Sequence, residues 1–243
     1  MEDIALALKP RPVDQRLPKA TQVYEVIRSA IISMELPPGA SVPEKAICNQ
    51  LDVSRTPFRE AILQLATEDL VTIKPGEGTF VNRIHLREVL DGQIVRDAVE
   101  PRLVRLAARR FQPKFASAFD LSLFKQRSAA ERRDFDEFFD LDNEFHRLIG
   151  DCSEFPNVWR TIHMATGQLD RVRRIAFPIE DNFGEVIGEH SRIADCIKAG
   201  DEDGAAAVLQ AQLDSIFKTI EIIKEADPTI ISAEQNATLD MIR

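Results

Sequence analysis

Beyond Asn82, the apolar residues of this chain keep a helical spacing almost to the C-terminus. They recur every three or four positions, which is typical of helices with one buried face. Helix-breaking residues lie near the interruptions, at Pro113, Pro156, Pro178 and Gly200. The spacing predicts helices over 86–110, 114–127, 134–150, 155–176, 182–199 and 201–225. Amphipathic helices joined by short connections must cover one another's apolar faces, so this part is predicted to be an all-α helical bundle.

The first third of the chain has a different pattern, in which three short helical segments precede two extended ones. The extended segments "LVTIK" and "GTFVN" are joined by "PGEG", and β-prone residues around a Gly-Pro turn predict a hairpin. Three helices followed by a hairpin is the order of a winged helix-turn-helix. We therefore expect a mainly α protein with a flexible N-terminal arm at 1–18, a winged helix-turn-helix at 19–84, an all-helical domain at 85–227, and a tail or short helix at 228–243.

Net charge and cysteine content restrict the possible functions. A formal net charge of −9 argues against a chain whose whole surface binds nucleic acid. Residues 1–84 contain 10 basic and 11 acidic residues, which leaves 21 basic and 29 acidic residues for the remainder, so the first third can carry a local basic face. Three cysteines without paired spacing favour a reducing cytoplasm. No apolar run reaches the roughly 20 residues needed to span a membrane.

The third predicted helix begins with residues suited to contacting DNA. In a helix-turn-helix, the second helix of the pair enters the major groove with its N-terminal residues at the base edges. Those positions hold Ser54, Arg55 and Thr56, with Arg59 one turn further on. Arginine can bind guanine through two hydrogen bonds or contact phosphates, and short hydroxyl groups suit backbone oxygens. Gly76 in the hairpin turn allows a close approach to DNA. In isolation, the same arginines would more often form ion pairs on a solvated surface.

The segment "PPGASVPEKAICNQLDVSRTPFREAILQLATEDLVTIKPGEGTFV", roughly residues 37–81, resembles the DNA-binding domain of the GntR superfamily of bacterial transcription regulators. The resemblance implies a set of DNA contacts from Ser54, Arg55, Thr56, Arg59 and the wing near Gly76. Lys45 stands where many relatives have arginine, so a point charge replaces a planar, two-pronged donor. Glu77 occupies a wing position that is often basic in the family, which predicts weak contact of the wing with DNA or none.

The segment "FFDLDNEFHRLIG" at 138–150 places Asp142 and His146 one turn apart, near the apolar face of a predicted helix. His190 and Gln212 lie on the apolar stripes of two later helices. Buried groups of this kind need one another or a metal to offset the cost of desolvation. Imidazole and carboxylate together suit zinc, nickel, manganese or iron. The alternative is a buried hydrogen bond between Asp142 and His146 with a water and no metal.

Three segments of the predicted bundle resemble the FCD effector domain of the FadR subgroup of GntR-type regulators, namely "IVRDAVEPRLVRLAARR", "LDNEFHRLIG" and "GEHSRIADCIKAGDEDGAAAVL". Metal-binding members of that subgroup use an Asp, a His four residues on, a His in the "EH" segment and a further His in the last helix. The first three match Asp142, His146 and His190. The fourth falls on Gln212, which is a weaker ligand or contacts the effector instead. The resemblance therefore implies a divalent metal ion, with zinc as the first choice.

Two arginines are candidates for binding an effector. Arg96, in "VRDAVEP", matches a family arginine that points into the effector cavity, where it would bind the carboxylate of an organic acid. The alternative for Arg96 is a salt bridge with Asp97 or Glu100. Arg171, in "QLDRVRRI", is the second candidate because it lies on a possible inner face of its helix.

These resemblances imply a homodimeric regulator, expected to be a repressor, whose two winged helices bind a palindromic operator in double-stranded DNA. The helical domain is expected to form the dimer and to bind a small organic acid or sugar acid, without a membrane partner. A metal-dependent enzyme with an Asp/His₂ site is the rival hypothesis, although no second acid, base or nucleophile is evident beside that site. A regulator with a vestigial, metal-free pocket is the third.

Overall fold

The computed structural model describes residues 8–9, 14–226 and 231–232 and shows a mainly helical chain that begins with a winged helix-turn-helix. This first unit consists of α1 (Lys19–Ile32), α2 (Glu44–Leu51), α3 (Arg55–Thr67), β1 (Val71–Lys74) and β2 (Gly78–Val81). The two strands are antiparallel, with Val71 opposite Val81 and Lys74 opposite Gly78. The prediction of three helices and a hairpin is confirmed.

Local sequence explains the turns of this winged unit. Asp52, directly after α2, adopts the left-handed conformation (φ 49°) that ends a helix, so the chain turns sharply into α3. Gly76 has a φ of +79° in the hairpin turn, a conformation in which a side chain would be strained. The apolar faces of α1 and α3 pack together through buried residues, namely Val23, Ile27, Ile31, Phe58, Ile62 and Leu65.

The second unit is a helical bundle, which confirms the predicted fold class. Its helices are α4 (Leu86–Arg109), α5 (Ala116–Glu131), α6 (Phe135–Cys152), α7 (Pro156–Ala165), α8 (Gly167–Glu180), α9 (Phe183–Ala199), α10 (Glu202–Asp214) and α11 (Ile216–Ala226). A short 3₁₀ turn at Pro113–Phe115 precedes α5. Helix α10 packs against α4 and α9, while α5 packs against α6 and α9. This arrangement brings α4, α5, α6, α9 and α10 around one centre.

The predicted helix over 155–176 is two helices, α7 and α8, which meet at Thr166. The buried Thr166 hydroxyl lies 3.4 Å from the carbonyl oxygen of His163 and 3.3 Å from Asp170 Oδ2. A hydroxyl that bonds nearby groups in this way competes with helical hydrogen bonding. Pro178 lies in the last turn of α8, two residues before the helix ends, which agrees with its expected place near a helix boundary.

The predicted helix over 201–225 is also divided, into α10 and α11 at Ser215. The Ser215 hydroxyl donates to the carbonyl oxygen of Gln212 at 2.7 Å. Apolar spacing continues across this break, because both helices pack their apolar faces into the same bundle. The periodicity therefore predicted one long helix where the structure has two.

Both ends of the described chain contain packed residues. Leu8, in the predicted flexible arm, is buried, and its backbone N–H and carbonyl bond the side-chain amide of Gln50 on α2. This part of the arm is therefore anchored, contrary to the expectation. Near the C-terminus, β4 (Ile231–Ser232) pairs in parallel with β3 (Ile84–His85), a pairing that the sequence did not indicate. The remainder of the predicted tail lies outside the described residues.

Helix α8 lies between the two units. It contacts α1 of the winged unit and α4, α6 and α11 of the bundle. Gly167, in the first turn of α8, lies close to Leu70, which follows α3 in the winged unit. A Cβ added to Gly167 would lie 3.1 Å from Leu70 Cδ2. One buried apolar cluster includes Val23 of α1 together with Phe138 and Phe177 of the bundle. The two units therefore share a core, and α8 links it to the centre of the bundle.

Candidate DNA-binding surface and metal centre

The winged unit presents its predicted DNA contacts on the surface. All six of the predicted residues are exposed: Lys45, Ser54, Arg55, Thr56, Arg59 and Gly76. Ser54 precedes α3 in an extended conformation, and its side chain makes no capping hydrogen bond to the helix. Arg55 and Arg59 lie one turn apart in the first turns of α3, where side chains four residues apart share one face.

Arg55 has an intramolecular partner that a DNA group can displace. The Arg55 side chain is 79% exposed, and its Nε lies 3.2 Å from Glu44 Oε1 on α2. An ion pair between such exposed groups contributes little to stability. Exposed arginines and hydroxyls at the start of a helix that follows a tight turn have the chemistry of a major-groove reading helix.

The centre of the bundle contains the predicted cluster of metal-ligating residues. Asp142 and His146 lie one turn apart on α6, and His190 comes from α9. All three side chains are buried, and one ligand atom of each lies within 4.8 Å of the other two. Asp142 and His146 lie together because they are four residues apart on α6. His190, about fifty residues further on, joins them because α6 and α9 both pack against α5.

His190 is held in the tautomer that a metal requires. Its Nδ1 lies 2.8 Å from Gln126 Oε1 on α5, an acceptor, so Nδ1 carries the proton and Nε2 has the lone pair. Nε2 has no hydrogen-bond partner among the described residues and lies 3.6 Å from Asp142 Oδ1. Burial lowers the pKa of His190 to about 3, so the ring is neutral at pH 7. The ring also stacks on Phe145 at 4.0 Å.

His146 and Asp142 are each held by a second buried group. The Nδ1 of His146 lies 2.8 Å from Glu100 Oε2 on α4, and its ring stacks on Trp159. Asp142 Oδ2 accepts a hydrogen bond from Arg173 Nη2 on α8. Burial opposes ionisation of Asp142, but the guanidinium of Arg173 beside it outweighs burial and holds the pKa of Asp142 below its usual range. The cluster therefore contains an ionised carboxylate beside a neutral imidazole at neutral pH.

Gln212, the predicted fourth ligand, lies on α10 and lines a cavity that also contacts Asp142 and His146. Its Oε1 is buried and has no hydrogen-bond partner among the described residues. A buried carbonyl oxygen without a partner is costly, and a cation or a water molecule would satisfy it. Asp142, His146 and the unpartnered Nε2 of His190 form a donor set that fits a divalent cation.

The cavity beside this cluster has a volume of about 110 Å³. Its cationic lining groups are Arg96, Arg173 and Lys218. Arg96 donates through Nε and Nη2 to Glu100, which is the salt bridge that the sequence offered as the alternative. Arg96 therefore lines the cavity and is paired within α4, while its binding of an effector stays a prediction.

Arg171, the second predicted effector residue, lies elsewhere, and this expectation is corrected. The residue is fully buried, and its Nη1 donates to the carbonyl oxygen of Asn82 at 2.9 Å and to Gln168 Oε1 at 3.0 Å. Burial lowers the pKa of Arg171 to about 10. Helix α8 is buried on more than one side, so an inward position on α8 can face the winged unit rather than the cavity. Arg173, two residues on, is the α8 arginine that lines the cavity.

Sequence reasoning missed the groups that hold the metal-ligating residues, namely Glu100, Gln126 and Arg173. Gln126 left a signal, because it continues the apolar spacing of Phe119 and Leu123 on α5. Glu100 was considered only as a partner of Arg96. Nothing in the "RVRR" run distinguishes Arg173 from its neighbours, since the choice depends on how α8 is rotated in the bundle.

Comparison with known proteins agrees with this architecture. The family model described as bacterial regulatory proteins, gntR family, matches residues 19–81, and the FCD domain model matches residues 93–215. The HTH-type transcriptional repressor RspR of Escherichia coli (strain K12) is 30% identical over 224 residues, covering 92% of this chain and 96% of that protein. An uncharacterized HTH-type transcriptional regulator of Streptomyces ambofaciens is 32% identical over 212 residues, covering 87% and 89%.

Two solved structures have a similar fold. McbR/YncC of E. coli superposes with a TM-score of 0.74 at 22% identity and covers 86% of this chain and 99% of its own. A putative GntR transcriptional regulator of Rhodococcus sp. RHA1 superposes with a TM-score of 0.69 at 24% identity, covering 84% and 98%.

A winged helix-turn-helix joined to a helical bundle whose cavity is lined in part by buried charged residues is the architecture of a DNA-binding transcriptional regulator. The chain belongs to the GntR family of such regulators, in the subfamily whose second domain is an FCD domain. Its named relatives are transcriptional regulators and not enzymes, which removes the support for the rival metalloenzyme hypothesis. Among the described residues, none of the helices has the length and apolar character of a membrane span.

Proposed function

We propose that this regulator is a repressor that binds a palindromic operator as a homodimer and responds to a small carboxylate at a metal site in its helical domain. The relative RspR is named a transcriptional repressor. Two-fold symmetry in a dimer matches two half-sites in the operator, one for each winged helix. The observation that carries the proposal is the exposed beginning of α3, where Arg55 and Arg59 are free to meet DNA.

The proposed DNA contacts are of two kinds: contacts that read base edges and contacts that hold the phosphate backbone. Arg55 and Arg59 are proposed to contact base edges or phosphates from the major groove, and Ser54 and Thr56 to bond the backbone. Lys45 on α2 would add a phosphate contact as a point charge. The tip of the hairpin at Gly76 has Glu77 beside it, so its contact with the phosphates is expected to be weak.

The proposed metal site uses Asp142, His146 and His190, with the side-chain amide oxygen of Gln212, Oε1, as a fourth ligand. Zinc is the first choice because two imidazoles and a carboxylate are among its usual protein ligands. The support comes from the buried, unpartnered atoms His190 Nε2 and Gln212 Oε1. When bound, the ion would act as a Lewis acid that binds the oxygen of an incoming ligand.

The effector is proposed to be a small organic acid. A cavity of about 110 Å³ is smaller than the roughly 150 Å³ cavity that holds benzene in an engineered protein, so it admits few heavy atoms. Arg96 is proposed to bind the acid's carboxylate through Nη1, which lies outside its pair with Glu100, and Arg173 adds positive charge. Such a ligand changes DNA affinity only if it binds one arrangement of the winged units more tightly than another.

Selection from a random pool of short duplexes tests the DNA-binding function. We expect the wild type to enrich a palindromic sequence and to bind it with an affinity that falls as salt rises. Arg55→Ala should weaken binding to the enriched duplex by about 5- to 150-fold, because a good bidentate contact to a base contributes on the order of 1–3 kcal/mol. Fluorescence anisotropy with the labelled duplex measures the change.

Arg147→Ala is the matched control, because Arg147 is an exposed arginine of α6 whose ion pair, among the described residues, is with the carboxylate of Asp151. Its affinity for the duplex should equal that of the wild type. An equal loss in both variants would point to a general effect of charge. A pool without an enriched sequence, or unchanged binding by Arg55→Ala, would contradict the proposed function.

A further inference from the structure

Asp142 uses its two carboxylate oxygens for different partners. Oδ1 faces the metal-ligating cluster, 3.6 Å from His190 Nε2. Oδ2 accepts from the Nη2 of Arg173 on α8, and the Arg173 side chain is 12% exposed. The Asp142 carboxylate therefore faces the metal-ligating cluster with one oxygen and the guanidinium of Arg173 with the other.

Arg173 joins two buried carboxylates. While Nη2 bonds Asp142, Nη1 lies 3.2 Å from Asp170 Oδ1, one turn earlier on the same helix. Both carboxylates are 3% exposed, so each depends on a nearby cation to remain ionised. The two terminal nitrogens of Arg173 therefore contact different carboxylates: Nη2 contacts Asp142 of the metal-ligating cluster, and Nη1 contacts Asp170.

Asp170 in turn contacts the winged unit. Its Oδ2 lies 3.5 Å from the Nη2 of Arg28 on α1, and Arg28 Nε donates to Glu68 Oε2, directly after α3, at 3.0 Å. Arg28 also donates to the carbonyl oxygen of His163 at 2.6 Å. A continuous line of buried charges thus runs from Asp142 through Arg173, Asp170 and Arg28 to Glu68. We call these five residues the charge line.

We propose that Arg173 and Asp170 are positioning residues that couple metal occupancy at Asp142 to the packing of α1, and this proposal rests on the proposed metal site. A divalent cation at Oδ1 withdraws negative charge from the carboxylate and repels Arg173. Arg173 then binds Asp170 more strongly, and Asp170 binds Arg28 less strongly. Such competition is effective here because charges interact strongly where water is excluded. The Arg28–Asp170 distance of 3.5 Å is the longest in the charge line, so this contact loosens first.

Hydrogen exchange of the full-length protein with zinc alone as the probe tests the coupling. In the wild type, saturating zinc should speed amide exchange across α1, residues 19–32, by about 2- to 30-fold, the range expected for coupling through a buried network. This direction is diagnostic, because simple stabilisation by a bound ion slows exchange everywhere. Zinc affinity is measured in parallel by competition with a chromogenic chelator.

Three variants separate coupling from a structural role. Arg173→Gln removes the cation between the two carboxylates, and Asp170→Asn removes the middle carboxylate without altering a ligand. Both should bind zinc yet lose the zinc-dependent change at α1. Arg174→Gln is the control, because Arg174 is the next residue of α8 but pairs with Asp136 and Asp140. It should respond like the wild type.

Each result decides a separate question. Zinc binding by the wild type without faster exchange at α1 would overturn the coupling and leave the metal site intact. A full response in zinc-bound Arg173→Gln and Asp170→Asn would likewise overturn it. Absence of zinc binding in the wild type would overturn the metal site and the coupling with it, whereas the DNA-binding proposal depends only on the duplex selection.

Discussion

At the scale of single residues, the metal-ligating cluster is prepared by hydrogen bonds from outside it. Gln126 accepts from His190 Nδ1 and so fixes the proton on the nitrogen that faces away from Asp142. The neutral ring, with a pKa of about 3, does not need to release a proton before it binds a cation at neutral pH. The cost is an unpartnered Nε2 when no cation is bound. A bound ion would therefore stabilise the fold as well as occupy the site.

The fourth ligand position leads to a prediction about zinc affinity. Gln212→His places an imidazole where a buried carbonyl oxygen now lacks a partner. Imidazole nitrogen is a better zinc ligand than an amide oxygen, so we expect zinc to bind at least about tenfold more tightly, which is roughly 1.4 kcal/mol. His146→Ala should abolish stoichiometric binding. Competition with a chelator at pH 7 measures both changes.

Gln210→His is the matched control for this prediction. Gln210 lies on the same helix, but its amide bonds Asp97 and Asp214 outside the cavity. The same substitution there should leave zinc affinity at the wild-type value. Equal affinities for Gln212→His and Gln210→His would show that position 212 does not face the ion.

At the scale of elements, the close approach of α4 to the joint between α7 and α8 holds the cluster in place. A Cβ on Gly92 of α4 would lie 3.2 Å from the carbonyl oxygen of Ala165 and 3.4 Å from Leu169 Cβ. The backbone of α7 and α8 would have to shift to accept it. Gly92→Ala should therefore destabilise the protein by about 1–3 kcal/mol, although alanine favours helix formation. Urea unfolding followed by circular dichroism gives the change.

Gly188→Ala provides the opposite case. Gly188 lies within α9, is exposed, and would place a new Cβ in open space. Here only the helix propensity changes, so we expect a gain of about 0.5–1 kcal/mol. The two substitutions are chemically identical, and stabilisation by both would contradict the close packing assigned to Gly92.

These elements show what the sequence could predict and what it could not. Helical spacing predicted the bundle because one apolar face per helix is a local property, and it placed Asp142 and His146 together because they are four residues apart. The joint at Thr166 was missed because the apolar spacing of α7 continues into α8. The wrong arginine of α8 was chosen, since whether Arg171 or Arg173 reaches the cavity depends on how the whole helix is rotated.

At the scale of the whole molecule, the two units are joined by shared apolar and charged contacts. Val23 of α1 and Phe138 and Phe177 of the bundle belong to one buried cluster. Arg28 crosses the same boundary, with Glu68 on its own side and Asp170 and His163 on the other. The winged unit is therefore held against the helical bundle through a packed junction rather than through a linker alone.

The junction predicts how the protein unfolds when Arg28 is replaced. Arg28→Met keeps the apolar length of the side chain but leaves the carboxylates of Glu68 and Asp170 buried without their shared cation. Removing one partner of buried charges of this kind costs about 3–5 kcal/mol. We expect the wild type to unfold in one calorimetric transition, and Arg28→Met to unfold in two, with the winged unit first.

Arg16→Met separates this effect from a general loss of charge. The Arg16 side chain is 90% exposed and pairs with Asp14, so its replacement should leave the transition unchanged. A single transition at the wild-type temperature in Arg28→Met would mean that the apolar cluster alone unites the two units. Two transitions in the wild type would mean that the units unfold independently even with Arg28 in place. The predicted pattern, one transition that splits only when Arg28 is lost, requires the buried charges to hold the winged unit against the helical bundle.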